Sequence, residues 1–254
     1  MPATSPSFSI VTVCFNSVRT LEAALASVVA QNWANREHIV IDGGSTDGTL
    51  DIIARRHRTL AKVVSEPDRG IYDAMNKGLA LATGDVVAFL NSDDRYIDTE
   101  VLSDVAEALA QNDLDAVFGD VDFVHPGDPD RVVRRFDSGR FHPARLKMGV
   151  MPAHPALFVR KSVFDRVGPF NPDYRIAGDF EFIARAFGDG GLHYKYLPRV
   201  LVRMQTGGAS TAGIRSTLKL NAEILRACRE NGIPTSALQL AMRYPAKFTE
   251  WLRR

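Results

Sequence analysis

Short apolar runs alternate with helical patterns over the first half of the chain. The β-branched runs SIVTV, HIVID, AKVVS and DVVAFL are separated by segments whose apolar positions recur at helical spacing. These helices are predicted at about 20–31, 49–57, 71–82 and 100–112. Repeated alternation of strand and helix predicts a parallel sheet, and uninterrupted apolar runs such as VVAFL suit strands covered on both faces.

The pattern changes after residue 115. AVFGDVDFV and RVVRRF flank the turn sequence PGDPD and predict an antiparallel hairpin, which a loop rich in proline and glycine follows. A further strand and two short helices are predicted before HYKYL and VLVRMQ close the sheet. We therefore expect an α/β domain over 1–211, with a mostly parallel central sheet and a small antiparallel addition, and a helical extension over 212–254.

The predicted extension is basic and divides into two helices at Gly232-Ile233-Pro234. Residues 203–254 carry nine Lys or Arg against three Glu. In the last helix one face collects the large apolar side chains of Leu238, Met242, Phe248, Trp251 and Leu252. Such a face can dock on the domain, lie on an anionic membrane or form a homodimer contact, and the sequence leaves these three possibilities open.

Composition narrows the class of protein. The formal net charge of +1 gives no reason to expect a nucleic-acid partner, because such proteins usually carry a clear basic excess. Cys14 and Cys228 are far apart and lack metal-ligand spacing, so neither a disulfide framework nor a zinc site is expected. No signal peptide or membrane-spanning run is found, which predicts a cytoplasmic protein with peripheral contact at the inner face of the membrane as a further option.

Polar residues follow each of the first four predicted strands directly. They are Asn16, the segment DGGSTDG from Asp42, Asp68-Arg69-Gly70, and Asn91-Ser92-Asp93-Asp94. Because the carboxyl ends of parallel strands share one edge, where open α/β sheets bind ligands, we expect these residues to form one site. Any single cluster can also be an ordinary turn, since Gly, Asp, Asn and Ser favour turns.

The acidic residues of these clusters are the candidate ligand contacts. Asp42 ends its strand, where a carboxylate can accept hydrogen bonds from a base or a ribose. The adjacent pair Asp93-Asp94 follows the most apolar strand, and two such close carboxylates raise each other's pKa unless a cation intervenes. Mg²⁺ and Mn²⁺ prefer oxygen ligands of this kind together with substrate phosphates, although a helix N-terminus would also favour the pair.

Familiar nucleotide motifs are absent from the sequence. No GxGxxG opens a helix after the first strand, and no GxxxxGK[ST] occurs anywhere. A nucleotide would therefore be held by carboxylates and a divalent metal, with Arg69 and Lys77 available to neutralise phosphate.

Five motifs occur in a fixed order: SIVTVCFNS, VIDGGSTDGT, EPDRGIYDAMNKGLALATGD, FLNSDD and AGDFEF. With them the chain resembles, over roughly 8–210, the family 2 glycosyltransferases with the GT-A fold, and especially the bacterial members that build surface polysaccharides. The resemblance implies a nucleotide-sugar site made of Thr12, Phe15, Asn16, Asp42, Asp68, Arg69, Asn76, Lys77, Asn91, Ser92 and Asp93. Within it, Asp42 is expected on the base.

The resemblance also implies a Mn²⁺ or Mg²⁺ cofactor. Asp93 and Asp94 match the family's metal motif, and we expect Asp94 to be the main ligand with Asp93 directed toward the ribose. The first position of that motif, often Asp, is Asn91 here.

The family's catalytic base corresponds to Asp179 in AGDFEF, where Gly178 replaces the usual Glu. An inverting transfer needs such a carboxylate to take the proton of the acceptor hydroxyl. Asp179 can instead be a helix N-terminal residue, with Glu181 as substitute base. His154 and Glu181 are expected on the acceptor side.

The sequence thus predicts a metal-dependent, inverting glycosyltransferase of bacterial cell-surface polysaccharide synthesis. Its donor is expected to be a UDP-sugar, with a GDP-sugar next, and its acceptor a glycan that can be lipid-linked. The alternatives are a sugar nucleotidyltransferase, whose Gly-rich phosphate loop is missing after the first strand, and a non-catalytic module that binds nucleotide-sugars.

Overall fold

The computed structural model describes residues 5–111, 113–207 and 214–241. The first half contains β1 (Phe8–Cys14), α1 (Leu21–Val29), β2 (Arg36–Asp42), α2 (Thr49–Arg56), β3 (Lys62–Ser65), α3 (Ile71–Leu81), β4 (Val86–Phe89), β5 (Asp94–Tyr96) and α4 (Val101–Gln111). The second half contains β6 (Ala116–His125), β7 (Asp128–Phe136), β8 (Leu157–Arg160), α5 (Lys161–Val167), α6 (Gly178–Phe187), β9 (Tyr194–Gln205), α7 (Ile214–Glu230) and α8 (Ala237–Ala241).

The strands of the described ranges form one sheet in the order β3-β2-β1-β4-β8-β6-β9-β5, with β7 paired to β6. The four strands from β3 to β4 are all parallel, which confirms the predicted parallel part of the sheet. In their register Cys14 lies opposite Asp42, and Asp42 lies opposite Ser65. Three strands therefore end at the same level, and the loops that follow them begin side by side.

The rest of the sheet is mixed. β8 runs antiparallel between β4 and β6, β9 is parallel to β6, and β6 and β7 form the predicted hairpin. Two expectations need correction: HYKYL and VLVRMQ belong to one continuous strand, and Asp94–Tyr96 is a strand paired with β9. The short segment was missed because its partner lies about a hundred residues away along the chain.

Helices cover both faces of the sheet. Adjacent residues of the central strands point to opposite faces, so each of these strands contributes side chains to two cores. Val11, Val87 and Phe89 face a core completed by α3, α5, α6 and α7. Ile10 and Ala88 face a second core, to which α4 contributes its apolar stripe. Burial on both faces explains the uninterrupted apolar runs in the sequence.

The predicted break between the last helices is confirmed, since α7 ends at Glu230 and α8 begins at Ala237. Both helices pack on the domain through buried side chains, among them Cys228 and Leu240. Leu238, a member of the predicted apolar face, is 75% exposed. The other members of that face, Met242, Phe248, Trp251 and Leu252, lie outside the described residues. In the described ranges, no helix combines the length and apolarity needed to cross a membrane.

Candidate nucleotide-sugar site

Asp42 lies at the carboxyl end of β2, buried beneath the loop that follows it. Its carboxylate accepts hydrogen bonds from the backbone amides of Gly44 and Ser45 at 3.1 and 3.0 Å, and from the hydroxyls of Ser45 and Ser65. Burial opposes ionisation, but these donors hold the pKa of Asp42 below its usual value. With 0% exposure, Asp42 anchors the loop through these hydrogen bonds, and its expected contact with the base stays a prediction.

The residues at and after the end of β1 divide into a buried and an exposed group. Thr12 is fully buried, and its hydroxyl lies 2.9 Å from Nε2 of His38, so the structure places it beneath the expected nucleoside site and not in contact with it. Phe15, in contrast, is 62% exposed. Asn16 adopts φ 49°, and its side-chain oxygen accepts the Thr46 amide at 3.0 Å.

The segment after β3 forms the next part of the rim. Oδ1 of Asp68 accepts the Gly70 amide at 2.8 Å, and the Arg69 side chain, 76% exposed, pairs with Asp73 at 3.0 Å. Lys77 donates to the carbonyl of Pro67 at 3.0 Å and so holds the segment against α3. Lys77 therefore supports the loop, whereas Arg69 is open to phosphate.

Asn76 has a structural role that the sequence did not reveal. Its amide donates to the Phe170 carbonyl at 2.8 Å, and its oxygen accepts the Phe170 amide at 2.9 Å. The side chain thus ties α3 to the segment before α6. The expected contact of Asn76 with the nucleotide-sugar stays a prediction.

The segment after β4 carries the candidate metal ligands. Ser92 is buried and its hydroxyl lies 2.8 Å from that of Ser17. Asp94 is only 1% exposed, and its Oδ2 accepts the Asn91 side-chain amide at 3.2 Å. Burial, with the charge of the partly exposed Asp93, raises the pKa of Asp94 well above its usual value, and burial also raises that of Asp93.

Two oxygens in this segment fit a divalent cation. Oδ1 of Asn91 and Oδ1 of Asp94 are both buried and lack a hydrogen-bond partner. An unpaired buried oxygen is costly, and a hard cation would satisfy both atoms while relieving the repulsion between Asp93 and Asp94. Within the described ranges no three Asp, Glu, His or Cys side chains are grouped to hold an ion. An ion here would need further ligands such as phosphate oxygens or water.

A cavity of about 560 Å³ opens beside Asp93 and Asp94. Three cationic side chains line it, namely Arg19 before α1, Arg95 on β5 and Arg203 on β9. Arg95 and Arg203 also pair with Asp130. The charge of this lining suits an anionic group next to the candidate metal ligands.

Asp179 lies at the N-terminal end of α6 and remains partly exposed. Its Oδ1 accepts the Phe180 amide at 2.8 Å and the Tyr72 hydroxyl at 3.3 Å. Burial raises the pKa of Asp179, against the opposing effects of His154 and of these two donors. A raised pKa suits a general base, because a carboxylate with a higher pKa is more basic and binds a proton more tightly.

His154 connects Asp179 with the end of β4. Its ring stacks on Phe89 at 5.7 Å between centroids, and Phe89 is the last residue of β4. Burial lowers the pKa of His154, while the charge of Asp179 acts in the opposite direction. The candidate base and the candidate metal ligands therefore both lie near the carboxyl end of β4.

Glu181 is engaged by a neighbouring arginine. Its carboxylate is buried and receives two hydrogen bonds from Arg185, at 3.0 and 2.8 Å. Arg185 also donates to backbone carbonyls before α6, including that of Pro169 at 2.8 Å. Glu181 thus belongs to an ion pair with Arg185, and its expected roles on the acceptor side and as substitute base stay predictions.

Sequence reasoning missed two supports of Asp179. The Tyr72 ring fills the space of the absent side chain at Gly178, where an added Cβ would lie 2.7 Å from ring carbons. Glu223 on α7 accepts the amides of Ile176 and Ala177 at 2.8 Å each, just before α6 begins. In the sequence, only the glycine at position 178, in place of the family's usual Glu, pointed to the Tyr72 contact. No feature of the sequence pointed to Glu223.

Comparison with solved structures places this architecture among GT-A glycosyltransferases. S. aureus TarS 1–349 in complex with UDP-GlcNAc is similar with a TM-score of 0.70 at 18% identity, covering 91% of this chain and 67% of that one. The mannosyltransferase PcManGT from Pyrobaculum calidifontis, in complex with GDP-Man and Mn²⁺, has a TM-score of 0.60 at 18% identity, covering 98% and 81%. The chain spans 40% of a longer TarS structure.

Sequence comparison adds the family. Residues 9–168 match the profile described as Glycosyl transferase family 2. A "PGL/p-HBAD biosynthesis glycosyltransferase" of Mycobacterium bovis is 33% identical over 214 residues, which are 81% of this chain and 80% of the relative. The chain belongs to glycosyl transferase family 2. This membership confirms the predicted family and favours a glycosyltransferase over the two alternatives.

Proposed function

We propose that the chain is an inverting glycosyltransferase that moves a sugar from a nucleotide diphosphate to an acceptor hydroxyl. The observation that carries the proposal is a pair of groups that His154 relates to β4: its ring stacks on Phe89, the last residue of that strand, and its charge acts on Asp179. One is the partly exposed Asp179 with its raised pKa, and the other is the segment of Asn91 and Asp94 with its unpaired buried oxygens.

Asp179 acts as the general base in this proposal. Its carboxylate takes the acceptor's hydroxyl proton as that oxygen bonds to the anomeric carbon, and the bond from that carbon to the diphosphate breaks with its electron pair. Attack opposite the leaving group inverts the configuration. Tyr72 and the Phe180 amide orient the carboxylate through Oδ1 and leave Oδ2 for the proton.

Asp93, Asp94 and Asn91 would hold the divalent cation. A bound Mn²⁺ or Mg²⁺ would supply positive charge that stabilises the departing diphosphate. Arg19, Arg95 and the exposed Arg69 provide further positive charge along the same rim.

The donor is proposed to be a UDP-sugar, with a GDP-sugar next. Solved structures of similar fold carry UDP-GlcNAc in one case and GDP-Man with Mn²⁺ in the other. The acceptor is proposed to be a lipid-linked glycan in bacterial cell-surface polysaccharide synthesis. The proposed location is cytoplasmic, with peripheral contact at the inner face of the membrane through the basic C-terminal region.

Two variants separate the proposed roles. Asp179→Asn should retain metal-dependent UDP binding and lose about 10²- to 10⁴-fold in transfer rate, because only the base is removed. Asp94→Ala should lose the metal-dependent part of UDP binding. Asp165→Asn, at an exposed carboxylate on α5, is the matched control and should change neither. Near-full turnover by Asp179→Asn would refute the assignment of the base.

A further inference from the structure

Arg175 joins two segments of the candidate site that are far apart in sequence. It lies on the segment that leads into α6, four residues before Asp179. Its Nη1 donates to the backbone carbonyl of Arg69 at 3.0 Å, and so reaches a loop 106 residues away along the chain. A Cβ built at Gly70 would lie 3.5 Å from the same nitrogen, which is ordinary contact distance. The Arg175 side chain therefore rests on the backbone of the rim loop, which we define as Asp68, Arg69 and Gly70.

The segment from which Arg175 projects is held in place by α7. Glu223 on α7 accepts the backbone amide of Arg175 at 3.1 Å, in addition to the amides of Ile176 and Ala177 at 2.8 Å. The Ile176 carbonyl in turn accepts the Tyr72 hydroxyl at 2.7 Å. Three consecutive amides and one carbonyl are thus engaged, so the Arg175 side chain starts from a fixed backbone.

The rim loop is also fixed to α3 by contacts of its own. Asp73, in the first turn of α3, accepts the backbone amide and the side chain of Arg69 at 3.2 and 3.0 Å. These bonds join the loop to the helix that follows it, whereas the bond from Arg175 joins it to the segment before α6. Arg69 exposes 76% of its side chain and is a proposed contact of the donor's diphosphate. Arg175 therefore acts on the backbone that places this contact.

Resting on the proposed function, we propose that Arg175 is a positioning residue that couples the donor side of the site to the base side. It holds the rim loop against the segment that leads to Asp179, so that Arg69 meets the diphosphate from a fixed backbone. In the other direction, a diphosphate bound to Arg69 stabilises the rim loop and, through Arg175, the segment before α6. Such coupling is reciprocal, because each event changes the equilibrium of the other by the same free energy.

Hydrogen exchange followed by mass spectrometry tests the effect of the donor on the base side. In the wild type, saturating UDP with Mn²⁺ should slow exchange at the amides of Ile176 and Ala177 by about threefold to tenfold, the range for one hydrogen bond. Arg175→Ala should show no such slowing at a UDP concentration that saturates this variant. Arg166→Ala, at an exposed arginine on α5, is the matched control and should keep the slowing. Slowing of equal size in Arg175→Ala, or none in the wild type, contradicts the inference.

A double-mutant cycle measured by titration calorimetry with Mn²⁺ tests the effect of Arg175 on the donor side. Arg175→Ala should weaken UDP binding about threefold to tenfold when Arg69 is present, and less than about twofold in the Arg69→Ala background, because the side chain that it positions is then gone. Equal effects of Arg175→Ala in the two backgrounds, including none in either, would overturn the inference and leave the proposed function standing. If neither UDP nor GDP binds the wild type in a metal-dependent way, the proposed function fails and this inference fails with it.

Discussion

Removal of one hydroxyl group tests whether Asp179 is the catalytic base. The Tyr72 hydroxyl lies 2.7 Å from the Ile176 carbonyl and 3.3 Å from Oδ1 of Asp179. It has one proton to share between these acceptors, and the bond to Asp179 is the longer. Tyr72→Phe deletes that donor and keeps the ring that packs over Gly178.

The size and sign of the effect follow from this geometry. A shared, long hydrogen bond belongs at the low end of the usual range, about 0.5 kcal/mol, which is about 0.4 pH unit. The bond favours the ionised carboxylate, so its loss raises the pKa of Asp179. A general base works deprotonated. The acid limb of the profile of kcat/KM against pH should therefore move to higher pH by about 0.4 unit, with little change on the plateau.

The assay is sugar transfer measured from pH 4.5 to 8 at low donor concentration. Tyr174→Phe is the matched control, because its hydroxyl donates to Glu230 on α7 and not to Asp179. It should leave the acid limb in place. An acid limb that stays fixed in Tyr72→Phe, or moves to lower pH, would refute the assignment of Asp179 as the group that titrates.

Three further predictions concern stability. Glu223→Gln should lower the free energy of unfolding by about 1 kcal/mol in urea titrations, because the charged acceptor of the amides before α6 is lost; an unchanged midpoint would contradict this. Gly178→Ala should cost about 1–3 kcal/mol through its clash with the Tyr72 ring, and a neutral result would show that the ring is free to move. Burial, with the charge of Arg36, lowers the pKa of His38 to about 3, so below pH 6.5 the unfolded state takes up a proton that the folded state does not. As the pH falls from about 6 to about 3, this residue should therefore lower the free energy of unfolding by about 1.4 kcal/mol per pH unit. The difference in free energy of unfolding between wild type and His38→Gln should change with that slope.

The periodic part of the fold was predictable because it depends on local sequence. The apolar runs that alternate with helical patterns predicted the parallel half of the sheet. The polar residues after each run predicted the edge of the sheet where the candidate site lies. The segment Asp94–Tyr96 was not predictable, since its strand character comes from pairing with β9 and its own sequence is polar. The burial of Asp94, the expected main metal ligand, was likewise not visible in the sequence.

The site was predictable as a set of motifs but not atom by atom. Asp42, Asn76 and Glu181 all carry suitable side chains, yet each has its polar atoms engaged by neighbours within the protein. Phe170, the partner of Asn76, is brought in by tertiary packing that spacing along the chain does not reveal. Arg185 is different, because it lies four residues after Glu181 on α6 and its pairing follows from helical spacing.

The central claim is that acidic and amide oxygens after β4 bind a divalent cation together with the donor's diphosphate. Anomalous diffraction from crystals grown with Mn²⁺ and UDP tests it most directly. The account predicts a manganese peak within about 2.2 Å of an oxygen of Asp93 or Asp94, and in contact with a phosphate oxygen. A nucleotide bound at the rim with no manganese beside these residues, or with manganese bound elsewhere, would contradict it.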